Sequence, residues 1–384
     1  MKASLYLHVP FCLKKCDYCD FYSEIQTRSA IENLLDACSR ELELYAAHPI
    51  FGRTEFQSFY LGGGTPSLLS AEQIKKLLIK AQSLFHFNDN FEFTLEANPE
   101  TISLSKLIEY RAIGINRLSL GIQSFCDSEL QKLGRIHNSD QSKKCIEWAS
   151  QAGFDNINLD LIFAIPGQTL SDWQENLLQA VQFKPKHLSI YCLTIEPGTL
   201  LQQKIFSGEF SKISEEIERE MYLWTIDALS NAGYQQYEIS NFCSPGFECQ
   251  HNLSYWNGSP YLGIGPAAHS FWNSHRQWNV DSLESYLILL AKSKMPNGGQ
   301  EELSRDQKML EFLFLSLRTS HGIDIHQFEN QFKLSFNEKF KNVLKRLNEH
   351  PDEELLNVHD NGLKLSAKGL VLFDEICRYF ADEI

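Results

Sequence analysis

The chain has 384 residues, 43% of them hydrophobic, and a formal net charge of −14 from 35 Lys and Arg against 49 Asp and Glu. At roughly 150 residues per domain there is room for two or three domains, with a core that needs no disulfide staples. The acidic balance excludes nucleic acid or an anionic membrane as an obligatory partner, because both select clustered Lys and Arg, and no apolar run reaches the ~18 residues of a membrane span.

Short β-rich runs alternate with helix-like runs over the first 230 residues. Strands are predicted at Ser4–His8, Gln57–Leu61, Phe91–Ala97, Arg117–Gly121, Asn156–Phe163 and His187–Leu193. Helical periodicity fits Ala30–Tyr45, Ala71–Leu84, Ser103–Ala112, Gln141–Ala152 and Ser171–Val181, with Ser103 and Asp172 as starts and Gly114 and Gly153 as stops. Strand–helix alternation implies parallel βαβ units, in a doubly wound sheet or a partial barrel. In either, ligands collect at the C-terminal ends of the strands. The Gly-, Cys- and carboxylate-bearing segments do follow predicted strands: His8–Cys12, Gly62–Ser67, Glu96–Pro99 and Gln123-Ser124, with Asp160 on the fifth.

A further helix is predicted at Glu215–Asn231, and Tyr234–Gly265 shows poor periodicity. The tail reads as helices at Ser304–Leu317, Asp324–Phe332, Asn337–Leu347 and Ala367–Phe380. Between the last two, Leu355–Val358 and Leu363–Leu365 form a hairpin around Asp360-Asn361-Gly362. This predicts a mostly helical, winged-helix-like C-terminal domain. Its 11 basic and 16 acidic residues from Glu301 onward argue against DNA binding. The expected division is 1–235 as the α/β core, 236–281 as a connecting segment and 282–384 as the C-terminal domain.

Ten cysteines are present, three of them within eight residues, and the N-terminus has no apolar signal core. Reduced thiols in a cytoplasmic protein are therefore expected. Cys12, Cys16 and Cys19 lack the fourth ligand of a structural zinc site, and ferredoxins space their four thiolates differently. Three thiolates in one loop suit three irons of a 4Fe–4S cube, leaving the fourth iron open. A structural zinc loop is the plainer alternative.

Cys12-x3-Cys16-x2-Cys19, with Tyr18 before the last Cys, resembles the radical S-adenosylmethionine (SAM) superfamily signature. The resemblance implies an incomplete (β/α)6 barrel. It also implies a 4Fe–4S cluster on Cys12, Cys16 and Cys19, whose open iron chelates the methionine end of SAM, and reductive cleavage to a 5′-deoxyadenosyl radical. By the same resemblance Gly63, Gly64, Thr65, Glu96, Gln123, Arg135 and Asp160 contact SAM, Tyr6 reaches the cluster-bound cofactor, and Tyr18 belongs to the cofactor loop. Each residue also has a bland reading: a tight βα turn for the glycines, buried ion pairs or packing for the rest.

Tyr6–Cys12, Gly62–Ser67, Glu96–Pro99, Gly121–Phe125, Leu133–His137, Asn158–Ile162 and Ile165–Gln168 resemble the coproporphyrinogen oxidase-like group over nearly the whole chain. Two subgroups compete. One is the oxygen-independent coproporphyrinogen III oxidase of porphyrin biosynthesis. The other is the HemW-type haem chaperone, which passes haem to haem-requiring respiratory proteins. The oxidase carries a further Cys two residues after the third, where this chain has Phe21, and a longer N-terminal arm. His251-Asn252-Leu253-Ser254-Tyr255-Trp256 matches the chaperone's HNxxYW pattern. The resemblance thus favours the chaperone, without coproporphyrinogen oxidase activity. Its expected haem ligand is His251, with Cys249 and Cys243 as alternative thiolates, and a packed aromatic loop is the plainer reading. Expected partners are haem, haem-recipient proteins and a reductant protein for the cluster. Transient membrane association and a homodimer are compatible with it.

Overall fold

A computed structural model describes residues 2–25, 27–48, 50–51, 54–349, 354–359 and 361–384. Six parallel strands form its centre: β1 (Lys2–Val9), β4 (Glu55–Gly63), β5 (His86–Ala97), β6 (Arg117–Gln123), β7 (Asn156–Phe163) and β8 (His187–Cys192), paired in that order. A two-residue ladder, β2 (Phe11–Cys12) with β3 (Glu24–Ile25), brackets the cysteine loop. Between the central strands run α1 (Arg28–Ala46), α2 (Ala71–Leu84), α3 (Leu104–Ala112), α4 (Asp127–Lys132), α5 (Ser139–Gln151) and α6 (Leu170–Gln182). Their starts are written locally. Ser70 and Gln73 close a capping box on α2, and Thr169 with Asp172 does so on α6. Asp172, expected as the start of α6, is therefore its third residue; Thr169 is the cap.

The central six strands are all parallel, in keeping with the incomplete (β/α)6 half-barrel that the resemblance implied, but the sheet extends further. After α7 (Leu200–Phe206) and α8 (Glu215–Asn231), β9 (Gln235–Glu238) and β10 (Asn241–Cys243) add antiparallel to β8. Beyond α9 (Gln250–Trp256), β11 (Tyr261–Ile264) pairs parallel with β1 at the other edge. Then β12 (His269–Trp272), β13 (His275–Asn279) and β14 (Asn297–Glu302) continue outward to twelve strands. Residues 236–281 are thus part of the sheet rather than a connecting segment. Their strands are three to five residues long, too short for periodicity to register.

The boundary at 281/282 also moves. Leu283, Tyr286 and Leu290 bury one face of α10 (Leu283–Ala291) in the same core as α1, and the sheet runs on to Glu302. A second core begins at Met309 on α11 (Arg305–Arg318). It is closed by α12 (Ile325–Phe332), α13 (Phe336–Lys339), α14 (Lys341–Asn348), α15 (Ala367–Val371), α16 (Phe373–Ala381) and a small sheet of β15 (Ile323–Asp324), β17 (Gly362–Leu365) and β16 (Leu356–His359). Two helices expected to be continuous are each broken in two, at Phe340 and Leu372. Of the expected hairpin turn, Asp360 lies outside the described residues. Among those described, no helix is long and apolar enough to cross a membrane.

Candidate functional site

The parallel strands place alternate side chains on their inner face, and these line a cavity of about 450 Å³. From β6 come Arg117, Ser119, Gly121 and Gln123, and from β7 Asn158, Asp160 and Ile162. Tyr60 and Gly63 of β4 and Glu96 of β5 face the same space. Cys12, Cys16 and Cys19 close it from the loop side, all three as partly exposed free thiols. Expected site residues Tyr18, Gly64, Thr65 and Arg135 also line it.

Hydrogen bonds tie the loop to the strand ends. Gly64 and Thr65 donate backbone N–H groups to Val9 and Phe11, at 2.8 and 2.7 Å. The Thr65 hydroxyl donates to Cys12 Sγ at 3.5 Å, and Arg135 Nη1 donates to Cys16 Sγ at 3.5 Å. Asn98 joins the two donors: its Nδ2 donates to Thr65 Oγ1 at 3.0 Å, and its Oδ1 accepts from Arg135 Nη2 at 2.7 Å. Donors aimed at two of three sulfurs suit thiolates, the form that holds iron. Burial pushes the Cys19 thiol up to about 11 without a metal, so ligation must release its proton. No three His, Cys, Asp or Glu side chains among the described residues converge on one ion position; the three thiols line a wall.

The carboxylates are placed deeper. Glu96 accepts from the Tyr60 hydroxyl at 2.8 Å and from the Gly63 N–H at 3.1 Å. Burial lifts it to about 7, against the effect of the Tyr60 bond. Asp160 accepts from Ser119 at 3.1 Å and Asn158 at 2.7 Å, and burial raises it too. Gln123 sits at φ 64° after a register shift in the β6–β7 ladder. A non-glycine residue in that region is held there by its surroundings, and here the irregularity lies on the cavity wall. The Arg135 Nε is buried with no hydrogen-bond partner among the described residues. A cavity with three thiols, two buried carboxyls and an incompletely bonded guanidinium fits a cluster with a zwitterionic ligand.

Two expectations do not fit the geometry. Tyr6 lies outside this cavity; its hydroxyl donates to His8 Nδ1 at 3.0 Å, and His8 Nε2 donates to the Tyr22 carbonyl at 3.1 Å. His251 is 1% exposed on α9, with Nδ1 2.8 Å from Ser58 Oγ and Nε2 2.9 Å from the Tyr255 hydroxyl. Both nitrogens are engaged, so it presents no open ligand. Cys249 is fully buried and donates to Glu92, and Cys243 is fully buried on β10. The HNxxYW segment instead contributes Tyr255 and Trp256 to a second cavity of about 500 Å³ with Tyr6, His8, Tyr261 and Phe271. Asn98, Ser119, Asn158 and Arg117 were missed in the sequence, though the period of two from Gly121 and Asp160 marks three of them.

Residues 6–180 match the family model of the radical SAM superfamily, and residues 303–372 that of the HemN C-terminal domain. The heme chaperone HemW of Bacillus subtilis (strain 168) is 34% identical over 382 residues, 99% of this chain and 100% of its own length. Heme chaperone HemW of Escherichia coli (strain K12) is 35% identical over 82% of each chain. Among solved structures, the coproporphyrinogen III oxidase HemN of Escherichia coli, described as a radical SAM enzyme, superimposes with a TM-score of 0.85 at 27% identity, covering 100% of this chain and 90% of that one.

Proposed function

Since this chain belongs to the radical SAM superfamily, and within it to the family of the heme chaperones HemW, we propose that it holds a 4Fe–4S cluster and SAM in the first cavity and carries haem for delivery to haem-requiring proteins. The observation that carries this reading is the convergence of Cys12, Cys16 and Cys19 with Glu96, Gln123, Arg135 and Asp160 on one cavity, in a chain matched end to end by named haem chaperones. When bound, the cluster would supply an electron to SAM.

The chain's own residues have defined tasks in this reading. Thr65 and Arg135 stabilise the thiolates of Cys12 and Cys16 by hydrogen bonds. Glu96 offers a carboxylate to an ammonium, and Gly63 and Gly64 bring backbone close to it. Arg135 and Gln123 suit a carboxylate, and Asp160 suits the two hydroxyls of a ribose. The second cavity, walled by Tyr255, Trp256, Tyr261 and Phe271, offers flat apolar faces to a porphyrin. His251 orients Tyr255 from behind instead of ligating iron.

The alternative is decarboxylation of coproporphyrinogen, since the fold is shared with HemN. Phe21, 61% exposed where that enzyme group carries a further Cys, favours the chaperone. Anaerobically reconstituted protein is expected to bind haem and to leave coproporphyrinogen III unchanged with SAM and reductant. Turnover to protoporphyrinogen without haem binding would reverse the assignment.

A further inference from the structure

Arg117 is 1% exposed, yet it forms neither a hydrogen bond nor an ion pair with any described residue, and its Nε is buried without a partner. A guanidinium carries five N–H donors, and burying one unpaired costs far more than folding tolerates without compensation. Its side chain lines the first cavity, as does Asn252 of α9. It lies at the start of β6, opposite Thr94 of β5, whereas Gln123 ends β6. Six residues of extended strand, roughly 20 Å, separate Arg117 from Gln123. The cavity therefore has two cationic ends, Arg135 beside the cysteine loop and Arg117 at the floor.

We propose that Arg117 is the receptor of an anion subsite at the floor of the cavity, which takes an aliphatic carboxylate additional to that of SAM. Burial works against its charge, but a guanidinium keeps its proton in a folded chain, so the group stays cationic. The charge count favours a monoanion. One guanidinium shares this end of the barrel with Glu92, and Glu96 and Asp160 stand on the walls above, so a phosphate dianion would meet net repulsion. The carboxylate could belong to a small acid or to a porphyrin propionate; the second source rests on the haem reading above, the subsite itself does not.

The test uses reconstituted full-length protein saturated with SAM, titrated with propionate, with propionamide and with inorganic phosphate. Propionate is expected to bind and the other two are not. Arg117→Gln should weaken propionate binding about tenfold or more, and Arg117→Lys should restore part of it. Equal binding of propionate and propionamide, or no binding of propionate to the SAM-saturated protein, would overturn the subsite; both readouts use the unmodified protein and survive a variant that fails to fold. Displacement of propionate by haem, but not by its dimethyl ester, assigns the source to a porphyrin. Displacement by neither assigns it to a small acid. Failure of haem binding with intact propionate binding would sink the haem reading and leave the subsite standing.

Discussion

His251 and Tyr255 face each other across one turn of α9, Nε2 to hydroxyl at 2.9 Å, with the rings edge to face at 5.0 Å. The histidine is sealed behind the tyrosine, and burial holds it down at about 3. It is neutral in the folded chain throughout the physiological range. Below pH 6.5 the unfolded chain takes up a proton that the folded chain refuses until about pH 3. Stability therefore falls as pH falls through that window, by about 1.4 kcal/mol per pH unit from this group. Urea unfolding of His251→Gln should show a flatter acid limb by that amount. An unchanged slope would mean that His251 is not buried neutral.

Glu96 titrates in the opposite sense. Its carboxyl is raised to about 7 by burial, so pairing with the ammonium of SAM requires loss of a proton below that pH. SAM affinity is expected to fall up to about tenfold per pH unit below 7. Glu96→Gln should bind more weakly at pH 8 and lose the pH dependence. Equilibrium dialysis at pH 6, 7 and 8 checks this, and a flat wild-type profile would move the ammonium elsewhere.

The cysteines separate by position in the cavity. Cys16 and Cys192 both line it, but only Cys16 lies in the loop and accepts from Arg135. Cys16→Ala should lose the iron and sulfide of the cluster, and Cys192→Ala should keep both. Equal loss from the two variants would remove the distinction between ligand and wall.

Gly134 anchors the loop. Its φ is +74°, and a Cβ there would collide with the Asp17 side chain. Asp17 is itself fixed by its N–H donating to Leu133 at 3.1 Å and by Lys204 at 2.8 Å. Gly134→Ala should cost about 1–3 kcal/mol and displace the segment between Cys16 and Cys19. A lower melting temperature together with incomplete iron loading is expected; full loading at wild-type stability would show that the loop is not held from this side.

The sequence by itself determined the order of strands and helices in the central unit and the gathering of three thiols in one loop. Hydrophobic periodicity over long elements located α2, β7 and α8 at their observed bounds. The Cys12/Cys16/Cys19 spacing puts three thiols in one loop, and that was legible because the three are local in the chain. The tertiary structure alone decided what depends on distant segments meeting. Strands β9 to β14 were invisible because three to six residues carry too little pattern, and their place in the sheet is fixed by pairing partners far away in sequence. His251 looked like an open ligand because a motif shows residue types, whereas its burial is set by Ser58, Tyr60 and Tyr255 around it. Arg117 passed unnoticed in an apolar-patterned strand. Only closure of the half-barrel turned it from an ordinary strand residue into an unpaired cation facing a cavity, because burial and pairing are properties of the assembled walls and not of the strand.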